Sequence, residues 1–289
     1  MKILIYSYGY NWRIGGFVAL HKLAESISQM GYEVYLLNGE KSKAGGATCV
    51  EMQEAIEIAS DPQTVVVYPE ALAGNPLNSK KVARWVLFFP GFQGGDTTYE
   101  SCEFVFTWSK EYVKNSIYEF APVLNFAGIL DDNFFDLNLA RTKDTILVKK
   151  GIHEIEKRRS NFLEPYLENL YELEPAEDII SGATDISDFN FKLNQIRYFI
   201  SYDNYTYHSV LAALAGCISI VIPEIERSSD AFFELFPEAK LAGVSYGFEV
   251  HNRNSLNLDS YKVEKLRIES KYFEAIDKLI RTLKVHFEM

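Results

Sequence analysis

Cysteine is scarce in this chain. Three stand among 289 residues, Cys49, Cys102 and Cys217. They are odd in number and far apart, with no C-x-x-C and no paired His/Cys spacing. That excludes a disulfide framework and a zinc knuckle and points to a reduced, cytoplasmic setting. Long apolar runs are also missing: the longest, Val210 to Ile222, is interrupted by Gly216 and too short to span a bilayer. The opening Met1-Lys-Ile-Leu-Ile-Tyr-Ser7 reads as a strand, because its apolar stretch is too short for a secretory leader and no small-residue cleavage site follows. Basic excess is absent. A net charge of -11 argues against broad nucleic-acid binding and gives no help toward anionic membranes. No D-x-D pair stands out, Asp131-Asp132 falls in a presumed domain crossing, and His153, His251 and His286 show no metal spacing. No metal site is expected. The dinucleotide fingerprint is missing too: Gly9 to Gly16 does not fit G-x-G-x-x-G, and Asn38-Gly39 ends the second strand with no acidic residue at its tip. NAD is therefore disfavoured.

What is present is an alternation of strand and helix signals. The length predicts two domains of about 130–150 residues each. Strands are predicted at Ile3–Tyr6, Glu33–Leu37, Thr64–Tyr68, Arg84–Phe89 and Glu103–Trp108. The intervening helices carry Phe17, Leu20, Ala24 and Ile27 on one face, with Gly31 as the stop, then Glu51–Ala59, then Ser109 through Tyr118 with Ser109 as cap. Asn125 to Asn138, with Gly128 and three aspartates, reads as the crossing, so the domains are 1–130 and 131–289. In the second, a strand is predicted at Thr145–Val148, helices at Ile152–Glu174 and Asp185–Ile196, and a last short strand at Lys240–Ser245. A tail helix over Tyr261–His286 has Leu266, Ile268, Tyr272, Ile276, Leu279 and Leu283 on its apolar stripe, available to pack back on the first domain. The fold class is α/β: two Rossmann-like domains whose parallel sheets face a cleft.

The most informative stretch runs from Tyr198 to Pro223. A short strand (Tyr198–Ser201) meets a polar, aromatic turn; an alanine-rich helix closed by Gly216 follows, then an apolar strand, Cys217–Ile222. This is one βαβ step. Its turn holds Tyr202, Asp203, Tyr205, Thr206, Tyr207, His208 and Ser209, more hydroxyl and carboxylate than a packing connection needs. Thr206 or Ser209, with the N–H groups around Tyr207 and His208, suits phosphate oxygens; Asp203 suits ribose or sugar hydroxyls; Tyr205 can stack or donate. The plainer account makes Asp203 or Thr206 a helix N-cap and the tyrosines packing.

Other candidates are spread along the chain. Gly15 and Gly16 open the first helix, where backbone N–H groups can approach a ligand oxygen or merely connect loop to helix. Lys149 and Lys150 end the second domain's first strand, where an ammonium group can reach a diphosphate or simply face solvent. For catalysis the candidates are Asp96, a general base in the glycine-rich loop after the fourth strand or a turn residue, and His21, one turn past the glycines or a core-edge histidine. Glu70 carries the same ambiguity as Asp96.

These residues resemble GT-B glycosyltransferases of bacterial surface-polysaccharide (capsule/O-antigen) biosynthesis. The likeness is carried by the opening strand with Gly15-Gly16, by Val67 to Pro76 with Arg84 to Gly91, and by Tyr202 through Pro223. It implies a cytoplasmic, metal-independent transferase without a cofactor, using a nucleotide-diphosphate sugar donor and a glycan or lipid-linked acceptor. Donor phosphates would lie near Lys149, Lys150 and Thr206 to Ser209, with acceptor contacts from the first domain. Acceptors of this kind sit at the inner membrane face, which leaves room for peripheral attachment there. One departure stands out: many retaining members carry two glutamates eight positions apart around this helix, and the corresponding positions here are Leu211 and Ala212. The alternatives are a nucleotide-sugar epimerase on the same scaffold and a non-catalytic glycan-binding or assembly protein.

Overall fold

Six short runs rich in β-branched and aromatic residues form one parallel sheet: β1 (Lys2–Tyr6), β2 (Glu33–Leu37), β3 (Thr48–Val50), β4 (Thr64–Pro69), β5 (Val82–Val86) and β6 (Phe104–Thr107), in the order β3-β2-β1-β4-β5-β6. Every residue of β4 and of β5 is buried, which is why these strands read as continuous apolar runs rather than alternating ones. The helices of this part are α1 (Gly15–Gln29), α2 (Met52–Ser60) and α3 (Lys110–Val113). The computed structural model describes residues 1–39, 41, 44–125, 133–147, 173–204, 207–224, 227–247 and 258–289. The chain falls into two units, Met1–Gly128 with Ile268–Met289, and Ile129–Arg267.

The second unit has its own parallel sheet. Its strands are β7 (Lys143–Leu147), β8 (Leu173–Pro175), β9 (Ile196–Ser201), β10 (Ile218–Val221) and β11 (Ser245–Tyr246), ordered β11-β10-β9-β7-β8. Its helices are α4 (Ala176–Gly182), α5 (Ile186–Leu193), α6 (His208–Leu214), α7 (Ser229–Leu235) and α8 (Pro237–Ala242); α9 (Leu258–His286) then runs on into the first unit. Asp185 caps α5, its carboxylate accepting from the Ser187 and Asp188 N–H groups at 2.9 Å each. Gly216 stops α6 at φ 85° in a Schellman pattern, with Gly216 N–H donating to Ala213 O and Cys217 N–H to Ala212 O, both at 2.9 Å.

Several boundaries differ from the sequence reading, each for a local reason. The helix expected through Tyr118 is the four-residue α3, because Asn115 takes φ 58° and the Ser116 hydroxyl donates to Val113 O at 2.6 Å, occupying an end carbonyl. Ser109 does cap it, its side chain accepting from Glu111 N–H. The first half of the strand expected at Lys240–Ser245 is the end of α8, started by Pro237 at its first turn and ended by Gly243 at φ 85°; only Ser245–Tyr246 pairs. The fourth strand ends at Val86, not Phe89, where the Glu70 carboxylate takes the Leu87 N–H at 2.9 Å. Leu266, expected on the buried stripe of the tail helix, is 66% exposed; Tyr272, Ile276, Leu279, Ile280 and Leu283 are buried. Of the helix expected at Ile152–Glu174, residues 152–172 lie outside the described residues, and Leu173 and Glu174 belong to β8. Among the described residues no helix is long and apolar enough to cross a membrane.

Candidate functional site

Both sheets contain a topological switch. In the first unit the connections from β1 run one way to β2 and β3, and the sheet resumes on the other side of β1 with β4. In the second, β7 leads to β8 on one side and has β9 on the other. Ligands of open parallel sheets bind outside the carboxyl ends of the strands at such points, so each unit offers one crevice of its own.

In the first unit the crevice is built from the Ser7–Ile14 loop, Glu70 after β4, and the loop after β5. Two buried side chains hold these loops. Tyr68, in β4, donates its hydroxyl to Asn75 Oδ1 at 2.8 Å and accepts Leu77 N–H at 3.1 Å. Desolvation pushes its pKa up to about 12. Arg84, in β5, is 1% exposed and pairs with Glu103, Nε to Oε2 at 2.6 Å. Its Nη1 donates to Leu72 O at 3.0 Å and its Nη2 to Gly74 O. Its guanidinium carbon lies 4.9 Å from the Tyr68 ring centroid and 5.1 Å from that of Tyr99. The sequence reading of this arginine as one more strand residue missed its role as a clamp; its exchange for an aliphatic residue in an all-apolar strand was the available signal.

Asp96 sits on this clamped loop, its Oδ2 accepting Gly74 N–H at 2.6 Å. Burial is the main cause raising the pKa of Tyr99, followed by the charge of Glu70, with smaller contributions from Tyr118 and Asp96. Glu70 is 5% exposed. Gly95 lets the Asp96 loop lie on the end of β4: a Cβ there would overlap the Glu70 carbonyl oxygen and come 2.8 Å from the Ala71 carbonyl carbon. Gly95→Ala is therefore expected to cost about 1–3 kcal/mol through forced displacement, read as a lowered tryptophan-fluorescence melting temperature.

His21 is 1% exposed, with Nδ1 2.9 Å from Phe17 O. A carbonyl only accepts, so Nδ1 carries the proton. Its ring meets Tyr10 edge-on at 5.1 Å, which ties the β1–α1 loop to α1. Gly15 and Gly16 are the first two residues of α1, after an Ile14 N-cap with no side-chain bond, and a Cβ on Gly16 would lie 3.7 Å from Leu87. The glycines thus bring α1 against the end of β5.

In the second unit four candidates around the β9–α6 turn are buried: Tyr202 is 3% exposed, Asp203 5%, His208 9% and Ser209 2%. The Ser201 hydroxyl accepts Asp203 N–H at 3.1 Å and donates to Asp203 O at 2.9 Å. The N-cap of α6 is Tyr207 rather than Asp203, with no capping bond from its side chain, because the chain enters the helix with Tyr207 already in αR geometry. The Tyr207 and His208 rings lie 4.4 Å apart. Lys149, Lys150, Tyr205 and Thr206 lie outside the described residues. Among the described residues no three His, Cys, Asp or Glu side chains gather as metal ligands.

No protein-family model matches the chain, and no curated protein does. Solved structures match at low identity. The spinosyn rhamnosyltransferase SpnG complexed with thymidine diphosphate is 13% identical, with a TM-score of 0.39, over 98% of this chain and 100% of that one. A glycosyltransferase from Rickettsia africae ESF-5 is 11% identical, TM-score 0.42, over 99% and 98%. The spinosyn forosaminyltransferase SpnP is 11% identical, TM-score 0.37, over 98% and 99%. The functional reading of this chain rests on its own residues.

Those residues give the two crevices different chemistry. The first unit presents two carboxylates (Glu70, Asp96); the second presents hydroxyl and amide groups beside a single carboxylate, Asp203. Asn204, in the β9–α6 turn, was not singled out from sequence, since nothing in a run of polar and aromatic residues marks which amide is buried.

Proposed function

We propose that this chain is a glycosyltransferase that moves a sugar from a nucleotide-diphosphate donor, held by the second unit, to a glycan or lipid-linked acceptor, held by the first, in surface-polysaccharide biosynthesis. The observation that carries the reading is the pair of parallel sheets, each with its own switch point, which supplies two crevices for a reaction with two substrates. The acceptor hydroxyl oxygen attacks the anomeric carbon and the bond from that carbon to the diphosphate oxygen breaks. The hydroxyl proton passes to Asp96, the more accessible of the carboxylates near Tyr99. Lys149 and Lys150 neutralise the leaving diphosphate without a metal ion, and Gly15 and Gly16 let backbone approach the transferred sugar. The setting is cytoplasmic, with lipid-linked acceptors met at the inner membrane face.

A melting-temperature screen against UDP-, GDP-, dTDP- and CMP-sugars tests this. One donor is expected to raise the melting temperature, and a Lys149→Ala, Lys150→Ala double variant to lose that shift. Donor breakdown measured with and without acceptor then separates transfer from epimerisation or hydrolysis. A flat screen across every donor would favour a glycan-binding protein instead.

A further inference from the structure

Asn204 lies three residues past the end of β9 and is 5% exposed, yet neither its Nδ2 nor its Oδ1 has a hydrogen-bond partner among the described residues. Ser209, in the first turn of α6, is 2% exposed, and its Oγ also lacks one. So does the Oγ1 of Thr145, a fully buried residue of β7. Buried asparagines elsewhere in this unit are used. Asn194 Nδ2 donates to Phe135 O at 3.0 Å, its Oδ1 accepts Leu137 N–H at 2.6 Å, and Asn190 Oδ1 accepts Phe135 N–H at 3.3 Å. Asp144 is bonded to Arg197 and Tyr198. Buried polar groups are almost always satisfied, and an orphan calls for a cause.

Asn204 and Ser209 flank one turn, between β9 and α6. Thr145, Phe199 and Ser219 occupy one row across β7, β9 and β10, so their side chains share a face. Ser219 Oγ donates to Ser209 O at 2.7 Å, so α6 lays Ser209 over that same face. Asn204 follows the carboxyl end of β9, which with β7 forms the pair between which the strand order reverses; outside the carboxyl ends of such a pair a parallel sheet takes its ligand.

We propose that Asn204 and Ser209 are specificity-determining residues that hydrogen-bond the uncharged nucleoside part of the donor, making in the complex the bonds they lack without it. This assignment rests on the donor reading above. A carboxamide sets two N–H donors beside a carbonyl acceptor. A diphosphate, offering acceptors only, would leave Oδ1 unpaired. The complementary group is neutral and carries donor and acceptor together: the imide or lactam edge of a base, or a ribose diol.

The test uses the full chain with Asn204→Leu, which keeps side-chain size, and Ser209→Ala. Each is scored by its ligand-free melting temperature and by calorimetry with UDP, dTDP, GDP, ADP, 2′-deoxy-UDP and pyrophosphate. Both variants are expected to melt at or above the wild-type temperature, because an unpaired buried group is removed. The preferred nucleotide is expected to bind at least tenfold more weakly, about 1.4 kcal/mol, with pyrophosphate unchanged. A loss that differs between bases assigns the base edge. A loss shared by UDP, GDP and ADP but absent for dTDP and 2′-deoxy-UDP assigns the diol. Lower melting temperatures in both variants, or unchanged nucleotide affinity, overturn the proposal. Should Asn204→Leu not fold, Asn204→Asp removes the donors at constant shape, and the same tenfold loss is required of it. A wild type that binds nucleotide, loses it on Asn204→Leu and transfers no sugar would defeat the transferase reading alone. Equal binding by wild type and variants would defeat this assignment alone, and a wild type that binds none of the nucleotides would defeat both.

Discussion

Replacing Arg84 by methionine is expected to destabilise the first unit by about 3–5 kcal/mol, because it leaves the Glu103 carboxylate buried without its counter-charge. Glu103 is only 7% exposed at its side chain and Arg84 1%, so water cannot take over. The same change frees the carbonyls of Leu72 and Gly74, and the loop they belong to is the one on which Asp96 is anchored. Trp12, Trp85 and Trp108, the three tryptophans of the chain, all lie in this unit, so their fluorescence follows its unfolding in urea selectively. The double variant Arg84→Met, Glu103→Leu is expected to recover part of the loss, since removing both charges abolishes the desolvation cost, while the two carbonyls still lack their donor. Arg84→Lys should stay well below wild type, because an ammonium group cannot span a carboxylate and two carbonyls at once. A single variant within about 0.5 kcal/mol of wild type, the range of ordinary surface changes, would refute the clamp.

Asp96→Asn is expected to lower kcat by about 10²–10⁴-fold, the usual worth of a positioned general base, and to leave stability and donor KM nearly unchanged. Stability is spared because the amide retains an oxygen for Gly74 N–H. Donor KM is spared because Asp96 belongs to the first unit and the donor is assigned to the second. His21→Gln is the informative companion. That ring is 1% exposed and held by its own helix at Phe17 O, so its exchange should cost stability more than turnover. If His21→Gln abolished turnover at unchanged melting temperature while Asp96→Asn did not, the roles of the two residues would be exchanged.

The alternation of apolar runs with helical periodicity was enough to foresee an α/β chain with two parallel sheets. The reason is local: a strand covered on both faces must be apolar throughout, as in Thr64–Pro69. The stops at Gly31 and Gly216 were equally legible, because only a residue tolerant of positive φ ends a helix that way, and both sit near 84°. Residue types alone also marked Asp96, the Gly15–Gly16 pair and the Tyr202–Ser209 turn as candidates.

Burial and long-range pairing were beyond that reach. The strand order that creates each switch point depends on which strands pair, and no local pattern encodes it. Arg84 and Glu103 stand 19 positions apart in sequence and join only because β5 and β6 are neighbours. Asn204 looks like any polar turn residue until the fold closes over it and takes away its water. Composition and periodicity determined the elements of this protein; tertiary packing decided which polar groups lost solvent, and so which of them are left with bonds to offer a ligand.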